Sequence, residues 1–112
     1  MSLNVERLAK TLSRELAIFL ARESRDANLS AVTITEVRVT NDLSYANVFY
    51  TVPEYLKDKI VPSLEKAKGF LRSELARRVK ARKMPELVFK YDEALEYGNH
   101  INEIINKLNN NK

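Results

Sequence analysis

The sequence predicts a single α+β domain, and three observations carry that expectation. Apolar residues recur at three- and four-residue spacings near the start and again after residue 55. Between residues 32 and 52 they alternate with polar ones, and a second alternation follows a proline at 87–91. A chain of 112 residues, 45% of them hydrophobic, suffices for one modest core. The expected domain spans residues 1–108, with 109–112 as a frayed polar tail.

From Asn4 to about Ser24, Val5, Leu8, Leu12, Leu16, Phe19 and Leu20 fall on one stripe of an amphipathic helix. Asp26 to Ser30 reads as a polar turn. Val32 and Ile34 alternate with threonines, and Val37 and Val39 with Arg38; the slip in parity between them predicts a β-bulge near Thr35-Glu36. Asn41-Asp42 is turn-like. Beyond it Ala46, Val48, Tyr50 and Val52 share one face of a second strand, which Pro53 ends.

Leu56, Ile60 and Leu64 predict a further helix, in which Pro62 removes one hydrogen bond. Either the helix bends there or its ordered part begins near that residue. Leu71, Leu75 and Val79 continue a helical stripe to about Arg82, and Met84-Pro85 breaks it. Leu87, Phe89 and Tyr91 give a third strand. Ile101, Ile104, Ile105 and Leu108 mark a last helix. The expected order is helix, strand, strand, helix, helix, strand, helix.

Charge is distributed unevenly. Between Lys66 and Lys83 stand Lys66, Lys68, Arg72, Arg77, Arg78, Lys80, Arg82 and Lys83 against one acid, Glu74. That segment carries +7 while the whole chain carries +4, so the remainder sums to −3. A solvated helix usually mixes signs to gain pair interactions. Concentrated cations instead fit a polyanionic partner, and phosphate backbones are the commonest polyanions in a cytosol. The eight basic residues are therefore the candidate RNA-binding set. Gly69 joins them as a small-residue junction between two helices, where backbone could approach a ligand. Arg7, Lys10 and Arg14 on the first helix are secondary candidates. Phe70 reads as a core anchor beside the junction. A protein-interaction module docking its basic helix on an acidic partner is the alternative.

Three stretches carry a family resemblance: NLSAVTITEVRVTNDLSYANVFYTV (Asn28–Val52), AKGFLRSEL (Ala67–Leu75) and MPELVFKYDEALEYGNHI (Met84–Ile101). With the first helix they cover nearly the whole chain, and together they resemble the ribosome-binding factor A family. The resemblance implies a type II KH-like fold of order α-β-β-α-α-β, with an Ala-x-Gly inter-helix kink at Ala67-Lys68-Gly69 and a C-terminal helix. It implies binding of a monomer to the free 30S ribosomal subunit and its 16S rRNA. It also implies assistance in late maturation of that RNA, including its 5′ end, and support of growth in the cold. Where the family commonly has Asp-Pro-Arg-Leu, this chain has Asp26-Ala27-Asn28-Leu29.

Enzymatic chemistry finds no constellation in the sequence. The chain has no cysteine and one histidine, His100, so no thiolate nucleophile and no Cys/His metal set are expected. Its two glycines cannot form a phosphate-cradling loop. Asp92, Glu93 and Glu96 suit the start of a helix. The expectation is no catalytic residue, no metal, no cofactor, no small-molecule substrate and no membrane. The charged N-terminal stretch lacks the apolar run of a signal peptide, which predicts a cytoplasmic protein.

Overall fold

The structure, a computed structural model, describes residues 4–22, 26–81 and 83–93. Helix α1 spans Val5–Arg22. Asn4 caps it, its Oδ1 accepting from the Arg7 N–H at 2.8 Å. Its buried stripe is Leu8, Ala9, Leu12, Leu16, Phe19 and Leu20. The expected polar turn at Asp26–Ser30 forms one helical turn, α2 (Ala27–Ser30), whose first N–H groups need an acceptor. The Asp26 carboxylate supplies it to Asn28 at 2.8 Å. The cap thus works without the family's common proline and arginine.

Strands β1 (Thr33–Val39) and β2 (Tyr45–Thr51) form an antiparallel hairpin. The register shifts between Ile34 and Glu36, where the lost parity placed a bulge. The hydroxyl of Thr35, between them, donates to Asp92 Oδ2 at 2.6 Å and so ties the bulge to the chain leaving the third strand. In the hairpin turn Asp42 Oδ1 accepts from Thr40 Oγ1 at 2.8 Å and from the Ser44 N–H at 3.0 Å. The left-handed residue is Leu43 (φ 62°), a conformation that costs a side-chain-bearing residue about 1–2 kcal/mol. The Asp42 bonds and the packing of the half-buried Leu43 against the core hold it there.

A 3-10 turn at Glu54–Leu56 leads into helix α3, Lys57–Arg78. Pro62 lies inside this helix, so the helix begins ahead of the proline rather than at it. The missing N–H would have reached the carbonyl of Asp58; both residues are exposed, which lets water satisfy that oxygen. The expectation of two helices divided at Ala67-Lys68-Gly69 is corrected: α3 runs unbroken through Gly69. A helical glycine costs about 1 kcal/mol relative to alanine, too little to end a helix whose Leu71 and Leu75 are buried on either side of one turn. The helix also stops earlier than Arg82. Val79 is extended (φ −112°, ψ 123°) yet stays buried, its N–H closing on the Leu75 carbonyl at 2.8 Å.

Strand β3 (Glu86–Tyr91) pairs parallel to β2, giving the sheet order β1-β2-β3. A parallel neighbour requires a crossover, which α3 provides. The sheet turns Val37, Val39, Ala46, Val48, Tyr50 and Leu87 toward α1 and α3, and these form one core. No polar or charged residue is buried among the described residues. Arg38, Tyr45, Asn47, Phe49 and Lys90 occupy the other face. The last helix, from Ile101, and the 109–112 tail lie outside the described residues.

The hairpin turn gives a pH test. Its hydrogen bonds from Thr40 and Ser44, chiefly the former, lower the Asp42 carboxyl from 3.8 to about 2. A carboxyl whose value is lower folded than unfolded stabilises the fold above its unfolded value and loses that contribution as pH falls toward the folded one. Denaturant titrations should therefore show wild type more stable than Asp42→Asn near neutrality. The gap should close as pH drops from about 4 to about 2; a constant gap would mean that the turn does not depend on this charge.

Candidate nucleic-acid interface

Helix α3 buries Ile60, Leu64, Leu71 and Leu75 on one side. At about 100° per residue, its basic residues divide between two flanks of that stripe. Lys68, Gly69 and Arg72 face the β3 side, where with Glu65, Glu86 and Leu87 they line an open cleft of about 410 Å³. Lys66 and Arg77 lie on the opposite flank. Lys80 and Lys83 are not on the helix; both are exposed in the connection to β3. Arg82 lies outside the described residues. Three of the candidates thus share one cleft, while Lys66 and Arg77, and Lys80 and Lys83, lie on other surfaces.

The side chains also differ in what they already hold. Arg72 donates to the carbonyls of Met84 (2.8 Å) and Pro85 (3.2 Å), fastening the middle of α3 to the lead-in of β3. Glu74 takes two partners, Arg77 at 3.2 Å and Arg78 at 3.7 Å, so this acid is interleaved among the cations expected to stand unpaired. Arg78 lies over the Phe19 ring, 5.1 Å from its centroid. Lys68 pairs with Glu65 at 3.6 Å. Lys66, Lys80 and Lys83 have no ion pair among the described residues. The charge of Lys83 contributes to the lowering of Asp42.

At Gly69 an added Cβ would meet nothing within 4 Å, so the bare backbone there is open to the outside and crowded by nothing in the chain. On α1, Arg7, Lys10 and Arg14 are exposed. Arg14 pairs loosely with Glu15 at 3.8 Å, and Lys10 lines a separate groove between α1 and β1. The structure therefore does not place them in the α3 cleft. Phe70 is a further correction: it is 59% exposed rather than a core anchor. The residues described contain no cluster of three or more His, Cys, Asp or Glu side chains able to hold a metal. No helix among them is long and apolar enough to cross a membrane.

The family model for ribosome-binding factor A matches residues 4–105. The chain belongs to the ribosome-binding factor A family. It is 44% identical to the ribosome-binding factor A of Macrococcus caseolyticus over 114 aligned positions, covering 100% of both chains. It is 42% identical to that of Enterococcus faecalis, covering 92% of this chain and 91% of that one. The crystal structure of ribosome-binding factor A from Thermus thermophilus superposes with a TM-score of 0.70 at 29% identity, over 80% of this chain and 97% of that one. A homology model of the same Thermus protein, fitted into the cryo-EM map of its complex with 30S, gives 0.61 at 30% identity over 76% and 91%. The architecture is the α+β, KH-like fold of this family.

One role was hidden in the sequence. Nothing in the spacing of Arg72 and Met84-Pro85 announces their contact, whereas the Glu74–Arg77 and Glu74–Arg78 pairs obey the three- and four-residue rule and were legible in principle. Arg72→Met should lower stability by about 1–2 kcal/mol, because two carbonyls lose a charged donor. Arg77→Ala, which breaks only an exposed pair, should stay within about 0.5 kcal/mol of wild type. Equal effects in urea denaturation would deny Arg72 its fastening role. Gly69→Ala should raise stability by about 0.5–1 kcal/mol, since the helix gains propensity and meets no clash. A loss would mean that the helix needs the glycine for its path.

Proposed function

We propose that this protein is a ribosome assembly factor that binds the free 30S subunit. It would contact 16S rRNA and assist its late maturation, including formation of the 5′ end, without catalysing a reaction itself. The observation that carries the reading is the open cleft of Lys68, Gly69 and Arg72, together with exposed Lys66, Lys80 and Lys83 outside it that have no ion pair among the described residues, in a chain of this family. The fit of the Thermus relative into a 30S map supports the choice of particle.

In this reading the lysines neutralise phosphates, and Arg77, Arg78 and Arg82 add to the field. Arg72 presents what remains of its guanidinium after bonding the two carbonyls. Gly69 leaves room for a sugar–phosphate backbone to lie against the helix. Such contacts recognise the shape of a folded RNA more than its sequence. Arg7, Lys10 and Arg14 provide a second, weaker surface. The protein would act as a monomer in the cytoplasm, where ribosomes are assembled, and matter most in the cold, where misfolded RNA escapes slowly.

Sedimentation with purified 30S, 50S and 70S particles at two salt concentrations tests this. Co-migration with 30S alone, weakening as salt rises, is the expected result. The triple variant Lys66→Glu, Lys80→Glu, Lys83→Glu should flatten the salt dependence by about two units of slope, at somewhat under one per lost phosphate contact. An unchanged slope would mean that these lysines are merely solvated. Binding that survives nuclease treatment would point to an acidic protein partner instead. Loss of the protein in cells should leave 16S rRNA with unprocessed 5′ ends, read by primer extension.

A further inference from the structure

Phe70 stands out on the flank of α3 away from the cleft. A phenylalanine normally goes inside, yet this one is 59% exposed. One edge is held: its ring meets that of Phe19 with centroids 5.8 Å apart and planes at 57°, and Phe19 is in turn covered by the Arg78 guanidinium at 5.1 Å. The side chain is therefore braced by Phe19 and otherwise largely exposed. Its neighbours along the helix are small, Gly69 on one side and the exposed Ser73 one turn on. Lys66 lies one turn before it, about 6 Å along the axis, and Arg77 lies about 10 Å beyond it.

The size and charge of this spot select its occupant. Val61, the other exposed large apolar residue of α3, is nine positions away and so half a turn around the helix. The apolar area at Phe70 is thus one ring, far below what a protein interface or a membrane needs. A nucleobase has that area, and the phosphates on either side of it would meet Lys66 and Arg77. We propose that Phe70 is a stacking platform for one unpaired base of an RNA strand whose backbone is held by Lys66 and Arg77. This rests on the RNA-binding reading above and adds a second kind of contact to it, on a surface separate from the cleft.

The chain contains no tryptophan, so Phe70→Trp introduces a single indole at the platform. Two probes separate stacking from charge: a single-stranded ten-mer of adenosine and an inorganic polyphosphate of similar charge. The ten-mer should quench the indole and polyphosphate should not, although both bind. Phe70→Ala should weaken binding of the ten-mer about tenfold and leave polyphosphate binding unchanged. Phe70→Tyr should keep most of the affinity, because its ring can still stack. Thermal unfolding of each variant guards against a packing defect through Phe19. Equal quenching by both probes, or full affinity in Phe70→Ala, overturns the stacking role while leaving phosphate binding intact. A wild-type protein that binds polyphosphate but not the ten-mer also overturns it. A wild-type protein that binds neither probe removes the phosphate-binding reading itself.

Discussion

The parallel pairing of β2 with β3 is the constraint from which the rest follows. Two parallel neighbours cannot be joined by a tight turn, so the chain must leave the end of β2 and return along the sheet to the start of β3. Helix α3 makes that return and commits one stripe, Ile60 through Leu75, to the sheet. The candidate cations of α3 then sit on what is left of its circumference, and Lys80 and Lys83 in the connection after it. The cleft with Lys68, Gly69 and Arg72 exists because α3 passes beside β3, and Arg72 fixes that passage by holding the carbonyls of Met84 and Pro85.

The cations around α3 therefore divide their labour. Arg72, Arg77 and Arg78 are engaged with carbonyls, with Glu74 or with an aromatic ring, and their geometry is set by those partners. Among the described residues, the lysines at 66, 80 and 83 carry charge without an ion pair. Guanidinium groups suit the first task, since a planar fork can hold two acceptors at once, and ammonium groups on flexible stems suit the second. Arg72 and Arg78 thus serve the architecture of this surface, while the lysines leave their charge exposed on it.

Much of this was readable from residue types and spacing. The stripe of α1, the hairpin with its bulge at Thr35, the end of β2 before Pro53 and the strand after Pro85 all follow local rules, because side-chain periodicity reports which face is buried. The continuity of α3 did not follow. Gly69 and Pro62 are both unfavourable in helices, yet the burial of Ile60, Leu64, Leu71 and Leu75 outweighs what either costs, and that burial depends on a sheet whose strands lie far away in sequence. The candidate site was legible as a charge density and not as a surface. Whether two lysines share a face depends on where the helix ends, and it ends at Arg78 because Val79 turns into the core. Phe70 was misplaced by its residue type: the stripe of Leu71, Leu75 and Val79 already turns Leu71 inward, and at about 100° per residue its neighbour falls off that stripe.

Among the described residues, β1 closes one side of the sheet with half of its backbone groups unpaired, a row of donors and acceptors that could template a fourth strand from another molecule. The bulge between Ile34 and Glu36 breaks the even spacing of that row, and Glu36 and Arg38 set a charged pair 3.1 Å apart along the strand. An incoming copy in antiparallel register would meet a kinked edge and have to desolvate those charges. The irregularity that ties Thr35 to Asp92 thus also makes this edge a poor template for pairing with another copy of the sheet.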